Sequence, residues 1–165
     1  GFFGFVYVAV MMSFIYQIRE LQNGGEFVVL LFLAAWGNDT LAYCTGMLIG
    51  KHKMSPILSP KKSIEGLVGG IVGAAILGAL YGLYLNTYIR FSFNPVTMFP
   101  IVCGLGGAVS VIGDLAASAI KRDSGIKDYG TLIPGHGGIL DRFDSIIFIA
   151  PVIYYLTVMI SGGAI

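Results

Sequence analysis

Five long stretches with almost no charged side chains constrain the fold of this chain more than any other feature. They cover residues 1–18, 66–89, 91–113 and 145–165, and also 27–50, which only Asp39 interrupts. A helix needs about 20 mostly apolar residues to cross the hydrocarbon core of a bilayer. The core of a soluble protein does not require runs this long and this uniformly apolar. We therefore predict an all-α fold, a polytopic transmembrane bundle with about five membrane helices.

Composition supports the same class of protein. Only 12% of the residues are charged, whereas soluble domains have about 25%. A net charge of +1 gives no reason to expect a nucleic-acid partner, so the expected surroundings are the lipid bilayer. The first residues already lie in an apolar run and show no signal-peptide pattern, so we expect the natural chain to extend further upstream. Cys44 and Cys103 fall within predicted helices, where we interpret them as packing residues.

The basic residues predict the orientation in the membrane. Eight of the ten lysines and arginines fall in two alternate connections, between the second and third helices and between the fourth and fifth. The positive-inside rule assigns both connections to the cytoplasm. We therefore expect a protein of the inner or plasma membrane, with any site built from these connections facing the cytoplasm.

The third predicted helix carries glycines at a spacing of four residues, in the pairs Gly66/Gly70, Gly69/Gly73 and Gly78/Gly82. Small residues at this spacing let membrane helices approach closely. Close packing within one bundle is the favoured reading, and a homodimer is the alternative that stays open.

Two acids interrupt the apolar pattern. Asp39 lies near the middle of the second predicted helix, and Asp114 lies about two turns from the cytoplasmic end of the fourth. A charge at bilayer depth costs at least about 2.5–3.5 kcal/mol, so such residues normally face a cavity, a partner or an ion. Asp39 shares a helical face with Tyr43, and Asp114 shares one with Ser110 and Ser118. We predict that these polar stripes line a water-accessible funnel, although a packing role is the alternative for either acid alone.

The densest cluster of polar residues spans 110–145. Asp141 and Asp144 are three residues apart at a helix start and, with Asp114, offer the hard oxygen ligands that Mg²⁺ takes together with phosphates. The turn at 134–138, Pro-Gly-His-Gly-Gly, can present successive backbone N–H groups to an anion. Basic side chains that suit a polyphosphate are Lys121, Arg122, Lys127 and Arg142. Separately, a Lys-Arg pair can be a topology signal or a binder of acidic lipids, and His136 a simple loop residue.

Residues 118–144 resemble the signature of the phosphatidate cytidylyltransferase family, also called CDP-diacylglycerol synthases. The elements of that signature are present in order as Ser118, Lys121-Arg122, Lys127-Asp128, 134–138 and Asp141-Arg142-Phe143-Asp144. A second block, 36–66, is similar to the family's other recurrent segment, with Asn38-Asp39-Thr40 and Ser59-Pro60-Lys61-Lys62. It departs from the pattern at Ser63-Ile64, where Thr-Trp is usual. Both blocks belong to a single predicted membrane domain, 1–165.

The resemblance implies the transfer of a cytidylyl group from CTP to phosphatidate, giving CDP-diacylglycerol and pyrophosphate in phospholipid biosynthesis. It implies Asp114 and Asp141 as principal metal ligands, with Asp144 and Asp39 nearby, for Mg²⁺ and for a second cation if the metal site is paired. The implied catalytic residues are Asp114, Asp141, Asp144 and Lys121. The implied substrate-binding residues are Ser118, Lys121, Arg122, Lys127, His136, Gly137 and Arg142, together with Lys61 and Lys62 for CTP or the lipid phosphate.

Two other functions stay open. A CTP-dependent kinase acting on a polyprenol or another lipid alcohol would need similar phosphate and metal contacts. A cation transporter would also place acids in the membrane, but it needs polar residues along a complete pathway. The predicted outer connections have little polar chemistry, and this disfavours transport.

Overall fold

The computed structural model describes residues 6–55, 59–123, 125 and 140–162, without the side chains of residues 7, 55, 59–61 and 140–142. The chain starts with a π-helical turn, Val6–Val10, and continues as α1 (Met11–Glu20). The helix α2 (Gly24–Phe32) passes through a second π turn, Leu33–Gly37, into α3 (Asn38–Ile49). The strands β1 (Lys53–Ser55) and β2 (Ser59–Ser63) precede α4 (Ile64–Asn86), α5 (Pro95–Asp123) and α6 (Leu140–Ile160).

Within these residues, four helical segments are long and apolar enough to cross a bilayer: Gly24–Ile49, Ile64–Asn86, Pro95–Asp123 and Phe143–Ile160. They confirm the predicted all-α, polytopic membrane fold and match four of the five predicted helices. The first predicted helix is helical from Val6 to Glu20, and its beginning lies outside the described residues. It packs along α6, with the rings of Phe14 and Tyr154 5.4 Å apart.

The helix α4 is the central packing element, and one stripe of small residues explains why. The buried members recur every four residues: Gly66, Gly70, Ala74, Gly78 and Gly82. The first half of the stripe meets α3, where a Cβ at Gly70 would lie 2.8 Å from that of Ala42. The second half meets α5, where a Cβ at Gly78 would lie 2.6 Å from the Phe99 carbonyl oxygen. These contacts confirm that the glycines pack within the bundle.

A short antiparallel hairpin, which the sequence did not predict, covers one end of the bundle. Its strands pair Lys53 with Ser63 and Ser55 with Ser59. Ser63 then begins α4, because its hydroxyl oxygen accepts a hydrogen bond from the Gly66 N–H at 3.1 Å. The hairpin therefore passes directly into the central helix, and this fixes the position of β2 above the bundle.

Glu65 connects the two helices that flank the hairpin. Its carboxylate accepts hydrogen bonds from the backbone N–H groups of Lys51, at 3.1 Å, and of His52, at 3.2 Å. The His52 ring nitrogen Nδ1 lies 2.6 Å from the same carboxylate. One side chain in the first turn of α4 thus holds the chain that leaves α3, and the hairpin is tethered at both ends.

Aromatic rings fill the opposite end of the bundle. Phe99, fully buried in α5, lies 6.3 Å from Phe27, 5.6 Å from Phe91 and 6.0 Å from Tyr81, measured between ring centroids. Phe93 completes the group. We call these five rings the aromatic cluster. It joins α2, α4 and α5 through apolar packing at the end away from the hairpin.

Candidate active site

A cleft of about 620 Å³ opens between α3, the hairpin, α4 and α5. Two acids and two lysines contribute its charges: Asp39 from α3, Asp114 from α5, and Lys53 and Lys62 from the hairpin. The other lining residues are mostly small or apolar: Asn38, Ala42, Tyr43, Gly46, Met47, Met54, Ser63, Gly66, Leu67 and Val111. The structure therefore confirms that Asp39 and Asp114 line one cavity.

The π turn Leu33–Gly37, between α2 and α3, determines which way Asp39 faces. A π turn adds one residue to a helical turn and so changes which side chains share a face, and such turns are frequent at functional sites. Here the turn ends at Gly37, so that Asn38 points into the bundle and Asp39 lines the cleft. The Asp39 carboxylate interacts with the side chains of Asn38 and of Ser145 in α6. Asp39 therefore connects α3 with the start of the last helix.

Lys62 lies at the centre of the charged groups. Its ammonium group forms an ion pair with the Asp114 carboxylate and is close enough to Asp39 and Asp144 to attract both electrostatically. Burial in the cleft lowers the pKa of Lys62, and the Asp39 and Asp144 carboxylates partly offset this. Three carboxylates on three different helices are thus drawn toward a single hairpin ammonium group.

A second ion pair adjoins the first. Lys121 Nζ in the last turn of α5 lies 3.8 Å from Asp144 Oδ2 at the start of α6, and both side chains are largely buried. A cation in the last turn of a helix is favoured by the negative end of the helix dipole. The two ion pairs together link the hairpin, α5 and α6 around the cleft.

The chemistry of the donors fits the predicted magnesium site, because carboxylate oxygens are the protein ligands that Mg²⁺ prefers. Among the residues whose side chains are described, no three acids, histidines or cysteines lie close enough together to hold a metal ion. The side chain of Asp141, one of the two principal predicted ligands, lies outside that description. The metal site therefore stays a prediction, with Asp39, Asp114 and Asp144 as its described candidates.

The remaining predicted site residues divide into two groups. Ser118 and Arg122 lie on α5 beyond Asp114, with Ser118 half-buried and Arg122 exposed. The others fall outside the described residues or side chains, and their predicted roles stay predictions: Lys61, Lys127, His136, Gly137, Asp141 and Arg142.

Sequence reasoning missed three residues that shape the cleft. Asn38 has no role of its own in the predicted Asn38-Asp39-Thr40 motif, yet its amide is fully buried between helices. Lys53 belongs to the basic residues from which the sequence predicts only the orientation in the membrane, yet it lines the cleft from β1. Ser145 is the last residue of the polar stretch 110–145, where the sequence gives it no role, and it is buried beside Asp39. An amide beside an acid in an otherwise apolar helix was the one signal that could have identified Asn38.

The fold and the cleft define a class of protein, a polytopic membrane protein with paired acids and lysines at one end of its bundle. The sequence pattern of the Cytidylyltransferase family matches residues 1–160, and the chain belongs to that family.

Curated relatives agree with this assignment. The chain is 37% identical over 154 residues to the phosphatidate cytidylyltransferase of Staphylococcus saprophyticus and 39% identical over 152 residues to that of Staphylococcus aureus. These alignments cover 93% and 92% of this chain and 56% of each relative. The chain therefore spans about half the length of the curated relatives that it matches.

Proposed function

We propose that the protein containing this chain transfers a cytidylyl group from CTP to phosphatidate, giving CDP-diacylglycerol and pyrophosphate. The observation that carries the proposal is the convergence of Asp39, Asp114 and Asp144 on the Lys62 ammonium group in a cleft at one end of a membrane bundle. Membership of the Cytidylyltransferase family and the names of the Staphylococcus relatives support the same reaction.

The charges of the cleft suit two anionic substrates. Both CTP and phosphatidate are negatively charged and repel each other, so a site that joins them must supply positive charge. Lys62 and Lys53 line the cleft and can bind phosphate oxygens, while Lys121 lies beside Asp144 in the last turn of α5. Asp39, Asp114 and Asp144, with Asp141, would hold Mg²⁺, which when bound neutralises charge on the phosphates.

The reaction requires one bond to form and one to break. An oxygen of the phosphatidate phosphate attacks the α-phosphorus of CTP, and the bond from that phosphorus to the bridging oxygen of the β-phosphate breaks as pyrophosphate leaves. The attacking phosphate is already ionised near neutral pH, so no general base is needed. The work of the protein is therefore to position the two phosphates and to stabilise the charge that develops on pyrophosphate.

We further propose that the lipid reaches the cleft sideways from the bilayer, while CTP reaches it from the cytoplasm. Tyr43 and Met47 line the cleft and are also exposed on the outside of α3, where acyl chains can lie without crossing water. The basic residues near the hairpin and at the end of α5 favour a cytoplasmic position for this end. The expected location is the inner or plasma membrane.

Labelled CTP tests the reaction directly. With full-length protein in detergent and phosphatidate as acceptor, label on the α-phosphate of CTP should appear in the lipid product and label on the γ-phosphate should appear in pyrophosphate. Transfer of the γ-label to a polyprenol or another lipid alcohol would instead identify a kinase. Cation flux into proteoliposomes without CTP would identify a transporter.

Chelation tests the metal requirement, and labelling tests the orientation. Activity should disappear after exhaustive chelation and return with Mg²⁺, and full activity without divalent cations would rule out the metal mechanism.

Single cysteines introduced at exposed Lys53 and Asp123, in a background without Cys44 and Cys103, should react only with reagent on the cytoplasmic side. Reaction from outside would place the cleft away from cellular CTP.

A further inference from the structure

An amide is built into the place where three membrane helices cross. Asn38, in the first turn of α3, is fully buried, and its Nδ2 group donates a hydrogen bond to Ser110 Oγ of α5 at 3.2 Å. Each of the two neighbouring helices, α4 and α5, also has a glycine beside the Asn38 side chain. A Cβ would lie 2.7 Å from Asn38 Oδ1 at Gly70, and 3.1 Å from it at Gly107. Two glycines thus leave room for one polar side chain.

Packing alone does not explain this amide. Among the described residues, Asn38 Oδ1 has no hydrogen-bond partner although it is buried. A buried acceptor without a partner is unfavourable, and an apolar side chain of similar size would fill the same space without that penalty. The amide therefore has a role that leucine at this position would not fulfil.

The two ends of this contact adjoin the two acids of the cleft. Asp39 follows Asn38 directly in the chain, and its carboxylate also interacts with the Asn38 side chain. Ser110 lies one helical turn before Asp114 on the same face of α5. A hydrogen bond between Asn38 and Ser110 therefore fixes α3 and α5 at the level of their acids.

We propose that Asn38 is a positioning residue, which through its hydrogen bond to Ser110 holds the Asp39 and Asp114 carboxylates at the separation that a shared cation requires. The inference rests on the proposed function, because that function supplies the cation and the reaction. Residues that orient metal ligands typically change metal affinity or activity by about 10- to 100-fold when they are replaced.

A double variant of the full-length protein separates positioning from folding. Asn38→Leu combined with Ser110→Ala removes both hydrogen-bond partners, so neither buried group is left unpaired, and such paired replacements can be nearly neutral for stability. The single variant Ser110→Ala is the milder test. Thr157→Val is the matched control, because Thr157 is also fully buried but its hydroxyl donates within its own helix, to the Ile153 and Tyr154 carbonyls of α6.

Two measurements decide the outcome. The first is the Mg²⁺ concentration that gives half-maximal activity, with kcat and the KM for CTP measured separately. The second is the rise in the thermal unfolding temperature on addition of Mg²⁺, which needs no turnover. In the double variant we expect the half-maximal Mg²⁺ concentration to rise about 10- to 100-fold, kcat to fall more than KM changes, and the Mg²⁺-induced rise to shrink. Ser110→Ala should shift in the same direction by less, and Thr157→Val should match the wild type.

A folded double variant with the Mg²⁺ response and kcat of the wild type would overturn the proposal. So would a loss of activity that leaves the Mg²⁺-induced thermal shift unchanged, since the acids would then be correctly placed. Unfolding of both variants would assign the contact to the fold alone and would also overturn it. If the wild type makes no CDP-diacylglycerol, the proposed function fails, whereas the thermal shift still tests the positioning.

Discussion

The two ends of the bundle hold their helices together in different ways. At the aromatic cluster, rings from α2, α4, α5 and the turn before α5 surround Phe99, and packing dominates. At the cleft end, acids from α3, α5 and α6 converge on Lys62 of the hairpin. The same α4 stripe of small residues runs between them. One end is built from apolar contact, and the other from charges that are costly to bring into a membrane.

The difference indicates which end carries stability and which carries function. Even when they are paired, buried charges contribute little net stability, because the cost of removing them from water offsets most of their attraction. Their retention beside a cleft is therefore better explained by chemistry than by folding. The aromatic cluster has no such cost, and its contribution is to fix α4 against α5. We expect substitutions at the two ends to separate cleanly into losses of activity and losses of stability.

The largest effect is expected for Asp114→Ala. This change removes a candidate metal ligand and the partner of Lys62, so activity should fall by at least about 10²- to 10³-fold, the loss found for single groups that stabilise reaction charge. Expression and membrane insertion should be retained, because the helix loses an unfavourable charge and Lys62 keeps the Asp39 and Asp144 carboxylates nearby. Initial rates measure the loss of activity, and thermal unfolding in detergent measures whether the fold is retained.

Asp123→Ala is the matched control for that prediction. Asp123 ends the same helix and is exposed, so its removal should leave the rate close to that of the wild type. A normal rate in Asp114→Ala would remove Asp114 from the site. Asp141→Ala should behave as Asp114→Ala does if it shares the metal.

The next effect should be on stability, from Phe99→Ala. Removing a fully buried ring leaves a cavity among the other aromatic side chains, and such changes cost about 3–5 kcal/mol. The unfolding temperature should drop strongly, while kcat per folded molecule should remain within a few-fold of the wild type. Ile101→Ala, at an exposed position on the same helix, should have little effect on either quantity. A selective loss of kcat in Phe99→Ala would break the separation between the two ends.

A smaller loss of stability is expected for Gly78→Ala, in the stripe that joins the two ends. The added Cβ would lie 2.6 Å from the Phe99 carbonyl oxygen and 2.9 Å from Cys103 Sγ. Overpacking of this kind costs about 1–3 kcal/mol, because α4 and α5 must move apart. Gly104→Ala is the control, since its Cβ would meet the Ala75 Cβ at an ordinary 3.6 Å. Equal unfolding temperatures for the two variants would show that the crossing at Gly78 tolerates a methyl group.

Sequence patterns predicted most of the fold because membrane helices are defined by local composition. Charge-free runs located the spans, and the four-residue spacing of Gly66, Gly70, Gly78 and Gly82 predicted close packing along the third predicted helix. The strands Lys53–Ser55 and Ser59–Ser63 were missed because they are short and mostly polar in sequence, and a proline lies within the second, so that no sustained alternation of apolar and polar residues marks them. The π turn at Leu33–Gly37 was missed as well, since an inserted residue leaves no compositional trace.

The candidate site was predicted only in part. Asp39 and Asp114 were recognisable because acids are rare in apolar runs, and the structure brings both to one cleft. The pairing of Lys62 with Asp114 was not predictable, because it joins a strand to a helix 52 residues further along the chain. The role of Asn38 likewise depends on two glycines in other helices, and only the packed bundle brings them together.

The smallest effect, and the finest test of the comparison, concerns the polar contact at the aromatic end. The Tyr81 hydroxyl donates a hydrogen bond to the Glu26 carboxylate, joining α4 to the first turn of α2. Tyr81→Phe keeps the ring in the aromatic cluster and removes only this bond, so stability should fall by about 1.5 kcal/mol, the lower end of the range for a hydrogen bond to a charged group. Activity should not change.

Tyr84→Phe is the matched control, because Tyr84 lies three residues further along, on the exposed face of α4. Its stability should stay within about 0.5 kcal/mol of the wild type. Thermal unfolding in detergent and initial rates measure both variants. If Tyr81→Phe instead lowered kcat with no loss of stability, the aromatic end would be coupled to the cleft through α4, and the division of the bundle into a packing end and a chemical end would be wrong.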